Sequence, residues 1–199
     1  MSRTNYIFVD YENVQDTDLD RIDGKPVKVV LVLGERHKNL PVALVKKLLK
    51  HGSQVSLVET GRGGKNALDL VLAQHIGEAR KADPGGYFHI LSRDKDFDAL
   101  VGHLKDNGTL AARRAALAEI PVLMNKEERV EFVIKHFTSA KTTRAAKRKT
   151  LESQIQALFG KMLSQSELAD TIAGLVARKI LTITPKDQVV YSLCPTADG

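Results

Sequence analysis

Near-continuous apolar runs, separated by segments with helical periodicity, dominate the larger N-terminal part of the chain. Val27-Lys28-Val29-Val30-Leu31-Val32-Leu33 is the clearest; Tyr6-Ile7-Phe8-Val9 before Asp10 and Tyr87-Phe88-His89-Ile90-Leu91 repeat it. Runs of this kind suit strands covered on both faces better than half-exposed ones. The pattern predicts strands over 5–10, 27–33, 54–59, 86–92 and 109–114. Between and after them it predicts helices over 41–51, 66–81, 96–106 and 126–138. Strands alternating with helices give a layered α/β fold around a mainly parallel sheet. Pro41 suits the first turn of its helix, where a missing N–H costs nothing, and Gly52 suits a left-handed cap at the other end.

Beyond Thr138 the pattern changes. Residues 139–149 lack apolar periodicity and read as a linker, or as the frayed start of a helix, between a first domain, 1–138, and a small unit over 150–195. In that unit Leu151, Ile155, Leu158 and Phe159 recur at helical spacing. Ser164-Gln165-Ser166-Glu167 has the capping-box form that opens a second helix. Ile180 to Thr184, a Pro185-Lys186-Asp187-Gln188 turn and Val189 to Leu193 then read as a β-hairpin. Helices followed by a hairpin resemble a small winged-helix unit; an ordinary αβ appendage is the alternative.

Composition narrows the class. With 199 residues, 43% of them apolar, the chain is long enough to build a core without staples. The single cysteine, Cys194, excludes a disulfide framework or a cysteine-based zinc site within one chain. No stretch approaches the roughly 20 apolar residues of a membrane span. These features predict a soluble, unprocessed protein in a reducing, cytoplasmic setting. The net charge of +6 is concentrated between residues 139 and 149, where Lys141, Arg144, Lys147, Arg148 and Lys149 face no acid within the segment. Such a run either draws in a polyanion through counterion release or is a solvated linker.

The candidate chemistry lies in four aspartates. Asp10 ends the first apolar strand, Asp69 lies near the start of the helix over 66–81, and Asp94 and Asp96 follow the strand over 86–92. Carboxylates at strand ends reach one edge of a parallel sheet, where α/β active sites form. Hard oxygen donors suit Mg²⁺ or Mn²⁺, ions that polarise a phosphate, generate hydroxide and neutralise a leaving oxygen. Each acid also has a local explanation. Asp94 suits the N-cap of the next helix, Asp96 its first turn, and Asp69 a cap-like pair with Asn66. Asp10 has no capping reason to be where it is, and Glu12 and Asn13 add oxygen-bearing side chains beside it.

Asp10-Tyr11-Glu12-Asn13 after an apolar strand, Gly64-Lys65-Asn66-Ala67-Leu68-Asp69 opening a helix, and Ser92-Arg93-Asp94-Lys95-Asp96-Phe97 after a second strand resemble the NYN and related PIN-like domains of the PIN nuclease superfamily. The resemblance covers about residues 4 to 137. It implies a three-layer α/β/α fold and a Mg²⁺- or Mn²⁺-dependent ribonuclease acting on RNA, single-stranded RNA above all. It makes Asp10, Asp69, Asp94 and Asp96 the catalytic and metal-binding residues, and it also implies that the chain can form a homodimer. Asn13 would then orient a ligand or phosphate, with Lys65, Asn66, Ser92 and Arg93 binding substrate; Arg144, Lys147, Arg148 and Lys149 of the basic segment add nucleic-acid contacts. Arg93 and Lys95 stand where the NYN pattern usually has smaller residues. If they neutralise the acids, the chain is instead an inactive PIN-like module that binds RNA or DNA. Asp98 ranks below the four acids, since on a helix it points away from Asp94.

Other chemistries find little support. Gly61-Arg62-Gly63-Gly64-Lys65-Asn66 matches neither the Walker pattern nor the dinucleotide fingerprint, although Arg62 and Lys65 beside a helix start suit a substrate phosphate. The histidines show no ligand spacing, and no serine or cysteine nucleophile motif is present. With six Phe, four Tyr and no Trp, base stacking is not an obvious binding mode, so contacts to nucleic acid rest on phosphates.

Overall fold

The computed structural model describes residues 3–15, 17–37, 39–61, 63–139 and 143–192. Arg62, Lys141, Leu193 and Cys194 lie outside the described residues. The chain divides into two compact units, residues 1–123 and 124–199.

The first unit is a five-stranded, wholly parallel sheet formed by β1 (Asn5–Asp10), β2 (Val27–Leu33), β3 (Val55–Glu59), β4 (Tyr87–Leu91) and β5 (Leu110–Arg114) in the order β3-β2-β1-β4-β5. Helices α1 (Val42–Lys50), α2 (Ala67–Ala82) and α3 (Phe97–Asp106) alternate with the strands. Successive side chains of a strand point to opposite faces, so each apolar run feeds two cores. Ile7, Val9, Val29 and Leu31 pack on one side with Leu44 of α1. Phe8, Phe88 and Ile90 pack on the other with Leu72 and Ile76 of α2 and Val101 and Leu104 of α3. Every residue of β1 is buried, as expected for the middle strand of a three-layer sandwich. The alternation read from the sequence thus gives the α/β/α fold with boundaries shifted by a residue or so. Gly52 does not take the left-handed cap; His51 closes α1 with its N–H on the Lys47 carbonyl.

The second unit contains α4 (Lys126–Thr138), α5 (Arg148–Leu158), α6 (Gln165–Ala177) and the antiparallel hairpin β6 (Leu181–Ile183) and β7 (Val189–Tyr191). Its division from the first unit falls earlier than the boundary expected at residue 138. The reason is the apolar stripe of α4: Val130, Val133 and Phe137 join Leu151, Ile155, Leu168, Leu175 and Leu181 in one core. Capping boxes open both α4, at Asn125 and Glu128, and α6, at Ser164 and Glu167. Gly174 lets α4 and α6 approach closely, since a Cβ there would stand 2.5 Å from Val130 Cγ2.

The segment expected as a linker is partly ordered structure. Lys147 forms an antiparallel bridge with Gln188, and Arg148 and Lys149 already belong to α5. Helix, bridging residue, two helices and a hairpin that pairs back on the bridge follow one another, an order similar to that of a winged helix. In the hairpin turn Asp187 takes the left-handed conformation at φ 55, with its N–H on the Thr184 carbonyl. Among the described residues no helix is long and apolar enough to cross a membrane.

Candidate active site

In the order β3-β2-β1-β4-β5 the chain runs outward in opposite directions from the β1–β4 pair. A crevice opens there at the carboxyl ends of the strands, and it is where open α/β sheets bind ligands. Val9 of β1 lies beside Leu91 of β4, so Asp10 and Ser92, one step further along, flank that crevice. The start of α2 supplies Asp69. Three acids expected from sequence, Asp10, Asp69 and Asp94, line one cavity of about 470 Å³ together with Glu12, Asn13, Glu35, Arg36, Lys65 and Asn66.

Asp10 is 1% exposed yet borders the cavity. Its carboxylate is held by short contacts: the Asn13 side-chain amide donates to Oδ2 at 2.6 Å, the Ser92 hydroxyl donates to the same oxygen at 2.7 Å, and the Asn13 backbone N–H donates to Oδ1 at 3.2 Å. Ser92 also accepts from the Asp94 backbone N–H at 3.0 Å. One buried hydroxyl therefore ties the end of β1 to the loop after β4. Ser92, expected as a substrate-binding residue, is fully buried and off the cavity wall, bonded to both acids.

Asp94 is not the N-cap of α3 and Asp96 is not in its first turn: Asp96 is the N-cap, without a side-chain cap bond, and Asp94 Oδ1 accepts from the Asp96 N–H at 2.9 Å in the turn before the helix. Asp96 is exposed and lies off the cavity wall. Asp98 pairs with Arg113 at 2.7 Å, which holds its carboxyl below the usual range and takes it out of the site. The cap-like pair of Asn66 and Asp69 is not made. Asn66 sits in the left-handed region at φ 61 and its side chain makes no cap bond, leaving Asp69 without that explanation. Arg93 and Lys95 are exposed, and among the described residues neither makes an ion pair with the acids. Arg93 is also absent from the cavity wall, unlike Lys65 and Asn66.

Burial raises the pKa of Asp69, and the charges of Asp10, Asp94, Asp96 and Glu12 raise it further. The site thus carries mutual repulsion that a cation relieves. Among the described residues no three acidic, imidazole or thiol groups converge closely enough to hold one ion by themselves. The donor set fits a hard cation that keeps several waters and takes one or two carboxylates, the habit of Mg²⁺.

A family model for the PIN domain, PIN7, matches residues 4–114, more than half of the chain. The chain belongs to the PIN domain family. No curated protein and no solved structure matches it. PIN domains are in general nucleases and typically use divalent metals such as Mg²⁺, so the family carries nuclease chemistry and nucleic-acid binding as its coarse function. The matched span covers all five strands of this PIN domain and every acid of the site.

Four cavity residues of the PIN domain escaped the sequence reading: Gly34, Glu35, Arg36 and Thr60. They follow β2 and β3, and the only signal for them in the sequence is that Glu35 and Arg36 come shortly after the apolar run of β2. The Glu35 carboxylate fills the space beside Gly63, where a Cβ would stand 1.6 Å from its Oε2. Glycine at 63 therefore lets the loop before α2 close over this acid.

Proposed function

We propose that the chain is a Mg²⁺- or Mn²⁺-dependent ribonuclease that hydrolyses phosphodiesters of single-stranded RNA at the carboxyl edge of its PIN sheet. The observation that carries this reading is the gathering of Asp10, Glu12, Asp69 and Asp94 on one cavity, where burial first and the neighbouring acids after it raise the pKa of Asp69. In this reading Asp10 and Asp94 hold the ion, while Asp69 and Asp96 act through water. The ion supplies charge neutralisation at the phosphate and acidifies water.

The chain's own groups do the rest. Asn13 and Ser92 fix the orientation of Asp10. Lys65 and Asn66, at the start of α2 on the cavity wall, receive the phosphate with the help of that helix end. Arg36 adds a second cation on the opposite, β2 side of the crevice. The carboxylate of Asp69, whose proton affinity is raised, is the group best suited among these acids to take a proton from water.

A second reading, a PIN-like module that binds RNA without cutting it, is favoured by one observation: no three acids among the described residues converge on a single point. Incubation of labelled single-stranded RNA with the protein in Mn²⁺, in Mg²⁺ and in EDTA separates the two, with Asp94→Asn run alongside. Metal-dependent cleavage lost in the variant supports the ribonuclease. Intact RNA in every lane with retarded mobility on a native gel supports the binding module.

A further inference from the structure

In helix-turn-helix readers of duplex DNA the recognition helix lies in the major groove between two phosphate rows. The corresponding helix here, α6, is unsuited to that place. Gln165–Ala177 contains no lysine or arginine and two acids, Glu167 and Asp170, while its exposed positions include Ala169, Ala173 and Val176. Arg178, paired with Glu131, and Lys179 stand only beyond its C-terminal end, and a further cluster of cations lies elsewhere. Lys147, Arg148 and Lys149 are exposed at the start of α5, and Lys186 is exposed in the hairpin turn. Backbone contacts bring the two segments together: Lys147 bridges Gln188, and the Arg148 N–H donates to the Asp187 carbonyl at 2.9 Å. Arg148 pairs with Glu152 at 3.0 Å, whereas among the described residues Lys147, Lys149 and Lys186 make no ion pair.

Arg148 also borders a second cavity, of about 320 Å³, walled by Leu168, Ile172 and Ile183 and edged by Glu152 and Gln165. Aliphatic walls, a polar edge and adjoining unpaired lysines match one nucleotide, its phosphate outside and its flat base within. A base can enter only if it is unstacked, which a single strand permits and a duplex does not. We infer that the winged-helix unit binds single-stranded RNA along Lys147, Lys149 and Lys186, with one base in the cleft between α5, α6 and β6, and not by laying α6 in a duplex groove. The choice of RNA rests on the ribonuclease reading.

The test uses the full chain in EDTA, so that binding is read without cleavage. Fluorescence anisotropy is followed over a salt series with a short labelled single-stranded RNA, the same RNA made abasic, and a duplex DNA. Lys149→Glu with Lys186→Glu is expected to weaken RNA binding roughly tenfold or more and to lower the salt slope by about 1.4, two contacts at about 0.7 each. Ala173→Phe, which fills the cleft from α6, is expected to weaken the intact RNA several-fold and to leave the abasic RNA unchanged. Ala173→Leu serves as a milder filler, and thermal melts check that each variant folds. Unchanged affinity in the charge variant overturns the inference. So does duplex DNA that binds more tightly than RNA and is lost on Ala169→Glu. A wild type that never cleaves in Mn²⁺ but loses RNA affinity in the charge variant removes the ribonuclease reading alone; cleavage with unchanged affinity removes this one alone.

Discussion

The Ser92 hydroxyl donates to Asp10 Oδ2 at 2.7 Å while accepting from the Asp94 N–H, so one fully buried serine sets the distance between two strand ends. Ser92→Ala removes a hydrogen bond to a charged group and leaves a backbone N–H without its partner. The expected cost is about 2 kcal/mol of stability. Because Ser92 acts through Asp10, kcat should fall roughly tenfold with KM for RNA little changed, and half-saturation by Mn²⁺ should rise. Steady-state kinetics over a Mn²⁺ series checks this; an unaltered Mn²⁺ midpoint would sink it.

Asp69 offers a stability experiment whose sign is opposite to the usual one for an acid. Its folded pKa is raised, so the folded state holds the proton more tightly than the unfolded chain. Stability is therefore greatest below the ordinary carboxyl range and is lost as pH rises through the raised folded value. In EDTA at neutral pH, Asp69→Asn should raise the Tm of the PIN unit by about 1–3 °C, a small effect because the group is half-buried and still reached by solvent. The same variant should lose most of the Mn²⁺-induced rise in Tm. Differential scanning fluorimetry with and without Mn²⁺ reads both.

His89 sets an acid limit. It is fully buried in β4, its Nε2 lies 3.0 Å from Asn5 Oδ1, its Nδ1 has no partner, and burial lowers its pKa to about 3. Between the unfolded value near 6.5 and that folded value only the unfolded chain takes up the proton, so stability declines as pH falls through this window. Urea titrations at successive pH values should show a loss approaching about 1.4 kcal/mol per pH unit below 6. His89→Gln keeps a donor for Asn5 and should flatten the slope; an unchanged slope would assign the acid loss to other groups.

Gly174 makes a prediction against helix propensity. Alanine in a helix interior normally stabilises by about 1 kcal/mol over glycine. At 174 the added methyl would meet Val130 Cγ2, so Gly174→Ala should destabilise the winged-helix unit by about 1–3 kcal/mol. Gly174→Ala combined with Val130→Ala should recover part of that loss. Thermal melts of the single and double variants give the comparison.

The legible parts of the molecule were those fixed by local pattern. β1 and β2 carry runs buried on both faces, and α6 opens on a capping box, so their ends were readable almost to the residue. Asp10 was legible as a candidate because it ends a strongly apolar strand, but its local role was not, since its carboxylate also accepts from the Asn13 N–H three residues on. Glu35 and Arg36 were harder, since their value depends on β2 lying beside β1, and strand order is a tertiary fact. The unit boundary was hidden for a similar reason. Val130, Val133 and Phe137 announce that α4 buries a face, but not which core receives it. The bridge at Lys147 is a single residue and leaves no period to read. Arg144 shows the limit of counting charges: its side chain lies over the Tyr191 ring and donates to the Phe137 carbonyl, so it is packed into the unit and not offered to a phosphate.

The central place of β1 has a further effect. Its amides are bonded between β2 and β4 and closed over by both cores, so they should exchange with solvent only when the whole unit opens. Asp10 stands at the end of the slowest-exchanging segment of the sheet. The edge strand β3, bonded only to β2, should exchange faster, while the pairing of β1 keeps the Asp10 carboxylate in register.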